Sequence, residues 1–558
     1  MASGAGKHPE TEFLRSYCGL KDCIGYPLDW RRFVAAIASY SGEGLFRRCS
    51  QYAANLANSS DGVLNATVQR SARQAASRLR FHPEPDGHRI GLHAERLGDD
   101  FSVFHEQGLL FLQAMALLHG RREGGDFPDD DKLLALALAA NDFLPVLDHG
   151  QAADPAAGLA ASFIQIARFN RKGDTRNDIF RPFALFRRPP PRGPFWETER
   201  WSQLQQQAFG MTAVDYIRKF AGPLYAFSLH WDFDPSHPDA NYPAISVEGL
   251  FSKTTLDPRV TRAFLWSIGQ TAQTATEDLV AKARNGRPTD LTCLLKKPFV
   301  SFAQDQMVAV SPWAVREQIR LGLLSRLMKA AVALDPKRGQ QDWGAAFGDM
   351  FEGWCREVVQ NAGPLPPGYR VLLSNTEQCP GEIEDVVLLS AQAAILFSVK
   401  AMILPEKVAR TSRHPSDALQ WLEDRFFAPT RGKNYRGGAI RQLDGRIAMI
   451  RRGDFQNLPP SDIPILPCLV TFDAIPDQLP LNRWMNSLCD RYGLLRQPGV
   501  TPITFMDTED FEIAMAALAA GVDLASVMKL RDKAEYRDMR WEILLREATH
   551  HDGFPRPA

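Results

Sequence analysis

GEIEDVVLLSAQAAILFSVKA, residues Gly381–Ala401, holds two apolar runs separated by a gap of turn length. Asp385–Leu389 and Ala394–Val399 are built from Val, Leu, Ile and Phe, the composition of buried strands, and Ser390–Ala393 is short enough to join them as a hairpin. Side chains alternate along a strand, so Ser398 and Lys400 share one face while Phe397 and Val399 take the other. Asp385 stands at the mouth of the first run and Lys400 near the end of the second. The pattern therefore predicts a carboxylate and a lysine meeting at the open end of an otherwise apolar hairpin.

Outward from this hairpin the order of elements is informative. Residues 343–361 read as a helix with Phe347, Phe351, Trp354 and Val358 on one stripe. Glu352 lies in it, with Gly348, Cys355 and Val359 as its neighbours at helical spacing, which predicts a half-buried acid. Tyr369–Leu373 reads as a further strand. Helical patterns fill 416–427 and 437–452, and the apolar runs Ile463–Phe472 and Thr501–Met506 read as strands. The sum is helix, three strands, helix, strand. After Thr508 the chain returns to helix, with Gly521 as a natural stop.

This order, with these residues in it, resembles the PD-(D/E)XK superfamily of restriction-endonuclease-like nucleases. The family pattern is a helical Glu, an Asp on one strand, Glu-x-Lys on the next, and a helix bearing a polar residue. Glu352, Asp385, Lys400 and Gln442 match those positions. The resemblance covers residues 342–510 and implies a mixed sheet flanked by helices. It also implies hydrolysis of phosphodiester bonds with Mg or Mn, on DNA before RNA, as in restriction or anti-phage defence effectors. The chain departs at one point: Ser398-Val399-Lys400 stands where the family has Glu-x-Lys. Serine brings a neutral oxygen, and a hard divalent cation needs several charged oxygen ligands. Glu382, Glu384 and Glu352 are the carboxylates placed to supply the missing charge beside Asp385. Two readings follow: a metal-dependent nuclease, or a catalytically inactive relative that binds nucleic acid or scaffolds an assembly.

Charge supports a polyanionic partner locally. Between Arg431 and Arg452 stand Arg431, Lys433, Arg436, Arg441, Arg446, Arg451 and Arg452 against the single acid Asp444. Such a run binds phosphate in a salt-dependent way, or solvates a helix face. Globally the balance is even, with 65 basic and 65 acidic residues, which excludes a protein that coats nucleic acid over its whole surface.

At 558 residues the chain is too long for one core, and α+β multidomain organisation is expected. Residues 1–335 read as a helix-rich region for sensing or partner binding. A break falls near 168–196, where Arg188, Arg192, Phe195 and Trp196 surround Pro189–Pro191. The nuclease-like part follows at 342–510, then a helical extension over 511–558. Within the first region, helix returns around Pro258–Arg284, and Leu295–Val300 with Met307–Val310 reads as a hairpin. The eight cysteines form no CxxC pair, so reduced thiols and no zinc site are expected. No signal-peptide pattern, no apolar run of the roughly 20 residues that span a bilayer, and no GxxxxGK[ST] loop appears. A cytoplasmic protein without a membrane partner is expected, and the oligomeric state is left open.

Overall fold

The computed structural model describes residues 16–17, 29–58, 101–102, 105–144, 177–229, 244–252, 254–303, 306–373, 384–403, 415–429, 437–455, 462–472 and 479–551. Glu382, Arg431, Lys433 and Arg436 lie outside these residues. The fold is α+β, and its contacts divide into two units. Among the described residues, no helix is long and apolar enough to cross a membrane.

The N-terminal unit comprises the described residues up to Phe143–Leu144, then 177–187 and 205–330. Helices Gly42–Asn58, Glu106–His119 and Asp130–Asn141 pack through buried Leu, Ala and Phe side chains. A four-stranded sheet is made of β1 (Ala244–Ser246), β2 (Gly269–Thr271), β3 (Phe299–Ala303) and β4 (Gln306–Ala309), in the order β1-β4-β3-β2. Two expectations are corrected here. Pro258–Arg284 is two helices, Pro258–Ser267 and Ala272–Lys282, interrupted by β2. Glycine is a weak helix former, and a Cβ on Gly269 would meet the Leu265 carbonyl oxygen at 2.9 Å and Met307 Sδ at 3.1 Å, so the chain crosses there as a strand. The hairpin is present as antiparallel β3 and β4, but Leu295 belongs to the preceding helix Thr292–Lys296.

The C-terminal unit comprises the described residues from Ala331 on, together with Arg188–Leu204. Its five-stranded sheet has the order β9-β8-β7-β6-β5, with β5 Arg370–Leu373, β6 Val386–Leu389, β7 Ala394–Lys400, β8 Ile465–Thr471 and β9 Thr504–Met506. β5, β6 and β7 form an antiparallel meander, and β8 runs parallel to both β7 and β9. The Ser390 hydroxyl organises the hairpin turn by accepting from Gln392 N and Ala393 N, while Ser390 N donates to Ala393 O at 2.9 Å.

Every residue of β6, and all of β7 except Lys400, is buried, as expected of strands covered on both faces. On one face, Val387, Leu389, Ala394, Leu396, Ile465 and Leu469 pack against helices Pro415–Phe427, Ala439–Arg452 and Leu479–Tyr492. On the other, Phe397 meets Phe511 of helix Thr508–Ala519 at 5.4 Å between ring centroids. Phe347 and Phe351 of helix Gly339–Asn361 meet Phe472 at 5.0 and 5.4 Å. The start of the Ala439–Arg452 helix lies directly on the end of the preceding helix. A Cβ on Gly438 would meet the Phe426 carbonyl group at 2.3 Å, so Gly438→Ala would push the two helices apart.

Candidate functional site

The antiparallel pairing of β6 and β7 ends at Val386↔Phe397. One residue further, the Asp385 carboxylate replaces a backbone acceptor: its Oδ2 accepts from Val399 N at 2.6 Å. This bond closes the open end of the hairpin and holds Asp385 opposite Ser398. Both acids at this end are buried, Glu384 at 6% exposure and Asp385 at 8%. Glu384 does not sit in a solvated turn; it lies where the apolar face ends.

Two adjacent buried carboxylates repel each other's charge. Burial first, and then the Asp385 charge, push the Glu384 carboxyl up to about 8. Lys400, the Ser398 hydroxyl and Arg446 oppose this rise. The Ser398 hydroxyl is therefore close enough to Glu384 to favour its charged form, yet it makes no hydrogen bond of ordinary geometry. Helices from the two faces contribute to the same end of the sheet. Arg446 comes from the helix Ala439–Arg452, and Glu352 from the helix Gly339–Asn361. Burial, then Asp385, raise the Glu352 carboxyl above its ordinary value, while Arg356 and Arg192 lower it. Arg356 pairs with Glu352 one helical turn away. Arg192, from the Pro-rich segment, reaches Asp349 Oδ1 at 3.1 Å and Glu352 Oε2 at 3.9 Å.

Asp385 thus lies within electrostatic reach of both Glu352 and Glu384, and Lys400 within reach of Glu384. Gln442 is one helical turn from Arg446, but its amide donates to Gly437 O at 2.8 Å, bonding back at the start of its own helix. The arginine run divides by role. Arg441 donates to Phe427 O and lies over the Tyr492 ring at 5.3 Å. Arg451 donates to Ile463 O and Pro498 O at 2.8 and 2.9 Å, and Arg452 pairs with Asp454 at 2.8 Å. These three bind the chain to itself, while Arg446, beside Met449 Sδ of its own helix, lies within electrostatic reach of Glu384.

Carboxylates are the donor type that a hard divalent cation takes. As placed, no three acid, His or Cys side chains among the described residues form a ligand set for a metal. Cys49, Cys293, Cys355, Cys468 and Cys489 are buried, and burial pushes Cys293 up to about 11 and Cys489 to about 12. A cleft of about 500 Å³ opens at the turn end of the same hairpin, lined by Arg370, Ser390, Gln392 and Asp462 among others. It lies away from the carboxylates and carries no comparable concentration of acid and base.

Sequence reasoning did not single out Thr471. It closes an apolar run as an ordinary strand residue, and only the strand register sets it beside Lys400. Compared with known proteins, the chain matches no family model, no curated protein and no solved structure.

Proposed function

We propose that the C-terminal unit is a metal-dependent nuclease domain of the PD-(D/E)XK type. In this reading it cleaves phosphodiester bonds of DNA, with RNA as the second substrate, in the cytoplasm, as an anti-phage effector would. The helix-rich N-terminal unit serves as a sensing or partner-binding module. The observation that supports the reading is Asp385 within reach of both Glu352 and Glu384, and Lys400 within reach of Glu384, at one end of a mixed sheet with the helix, three strands, helix, strand order.

In this reading Asp385, Glu384 and Glu352 would have to draw closer together than they stand here to hold the Mg or Mn ion, with Glu384 in place of the carboxylate absent at Ser398. An ion held there would supply Lewis-acid polarisation of a phosphate oxygen and a water of lowered pKa. Lys400, half-buried beside Glu384, donates a hydrogen bond to the attacking water or to a phosphate oxygen. Arg446 offsets phosphate charge from the helix side. Burial of the acids lowers the local dielectric and strengthens each of these interactions.

One observation favours the inactive, nucleic-acid-binding alternative: an Asp385 oxygen is already committed to Val399 N, a purely structural bond. Ser398→Glu separates the two. An active variant of the family pattern keeps or gains Mg- or Mn-dependent cleavage of plasmid DNA or RNA when the charge is restored. If wild type and Ser398→Glu are both inert while nucleic acid is retained on the protein, the binding reading replaces the catalytic one.

A further inference from the structure

Between helices Asn177–Phe186 and Thr198–Phe209 the chain runs through Arg187–Trp196, RRPPPRGPFW, in neither helix nor strand. Pro190 and Phe195 are buried, while the Arg188 and Arg192 side chains are 70% and 62% exposed and Trp196 is 58% exposed. Both arginines of this strap meet acids of one helix, Gly339–Asn361. Arg188 Nη1 reaches Glu357 Oε1 and Arg192 Nη2 reaches Asp349 Oδ1, each at 3.1 Å. Eight positions of helix rise about 12 Å, and four positions of extended proline-rich chain span about the same. Strap and helix therefore match in spacing as well as charge. Solvent-open ion pairs hold weakly, however, and a guanidinium offers phosphate the same fork of donors that it offers a carboxylate.

We propose that Arg188, Arg192 and Trp196 form a contact surface for a single-stranded nucleic acid, and that Asp349 and Glu357 hold its arginines until phosphates replace them. This rests on the nucleic-acid reading above and deepens it. The strap supplies the two things a single strand takes from a protein: cations for its backbone, and an exposed aromatic face on which any base stacks. A lone small anion competes for one arginine at a time and leaves the other pair closed. A strand presents phosphates to both at once. Arg192 also lies 3.9 Å from Glu352 Oε2, so a strand that takes Arg192 is brought beside the proposed acids.

The test is binding of fluorescein-labelled oligothymidylate to the full chain without divalent metal, read by fluorescence anisotropy over a series of salt concentrations. Arg188→Ala with Arg192→Ala should weaken binding and make the slope of log K against log salt shallower by about 1.4, or about 0.7 for each lost phosphate contact. Trp196→Ala should weaken binding about fivefold or more. Asp349→Asn with Glu357→Gln should tighten it about three- to tenfold, the range that two exposed ion pairs allow. Loss of folding cannot produce a gain of that sign. The gain should vanish when the acid substitutions are added to the double arginine variant, because the acids act through the arginines. A gain that persists there makes the acids simple repellers of the strand and overturns the proposal. Affinity and slope unchanged by the arginine and Trp196 substitutions overturn it too. If Arg446→Ala then weakens binding, the nucleic-acid reading stands without the strap. If wild type binds no oligonucleotide even at low salt, both fall.

Discussion

Each unit buries a group of charges, and the two groups are built on opposite principles. In the N-terminal unit, Glu106 and Asp178, from two separate helices, lie within reach of Arg316, and Asp178 also of Arg320 and Arg181. Arg320 Nη2 binds Glu317 Oε1 at 2.6 Å with both side chains buried. Glu317 and Arg320 are supplied together, one turn apart, by the Pro312–Leu334 helix. In the C-terminal unit, two acids stand consecutively at Glu384 and Asp385, both buried, each next to a hydroxyl or a backbone N–H and not locked to an arginine of the same element. In the first group the Glu317–Arg320 pair is compensated within one helix, although burial still raises Glu106 and Asp178. In the second, like charge is concentrated at the end of a sheet, and the cations that oppose the rise of Glu384, Lys400 and Arg446, come from other elements. The two groups differ in where the compensation comes from.

The contrast can be broken most severely at Arg320. Removing one partner of a buried pair leaves the other uncompensated, so Arg320→Ala should cost about 3–5 kcal/mol in denaturant unfolding. A loss below about 1 kcal/mol would show that the N-terminal group is not a self-balanced network.

A pH series sharpens the comparison. Burial first, with Glu317 adding and Arg316 opposing, lifts the Glu106 carboxyl from 4.5 to about 8. The folded state thus holds a proton that the unfolded chain gives up at lower pH. The associated stability is fully present below pH 4.5 and is lost as pH rises through about 8. Thermal unfolding of Glu106→Gln should match wild type at pH 5 and exceed it at pH 9, by an amount on the order of 1 kcal/mol or more. Parallel curves at both pH values would remove the charge of Glu106 from the account.

The smallest expected effect falls in the C-terminal group. Glu384→Gln resembles the protonated acid in shape and hydrogen bonding. It should change metal-free stability at pH 7 by less than about 1 kcal/mol. A loss of several kcal/mol would make Glu384 a structural group like Glu317, and the distinction between the units would disappear.

The C-terminal elements were legible in the sequence because each is a dense apolar run bounded by turn residues. The expected strand Ala394–Val399 is observed as Ala394–Lys400, and Ile463–Phe472 as Ile465–Thr471. Asp385 and Lys400 were legible as the charged ends of that hairpin. Three features were not. Arg192 is brought to Glu352 by a contact across 160 positions of chain, which no local pattern encodes. Thr471 is polar only in its hydroxyl and carries no motif. The charge run before Arg452 looks uniform in sequence, yet Arg441 and Arg451 donate to backbone carbonyls while Arg446 lies within electrostatic reach of Glu384, because only the turn of the helix separates them. In the N-terminal unit, short strands such as Gly269–Thr271 sit inside helical periodicity and are set by packing, not by local preference.

The most direct test of the central claim is cleavage of plasmid DNA and single-stranded RNA by the full chain with Mg²⁺ or Mn²⁺, comparing wild type with Asp385→Asn and Lys400→Ala. The account predicts metal-dependent cleavage by wild type, lost in both variants, with Mn²⁺ binding lost in Asp385→Asn and largely kept in Lys400→Ala. Cleavage that survives both substitutions would contradict it, as would a wild-type protein that cleaves neither nucleic acid with either metal.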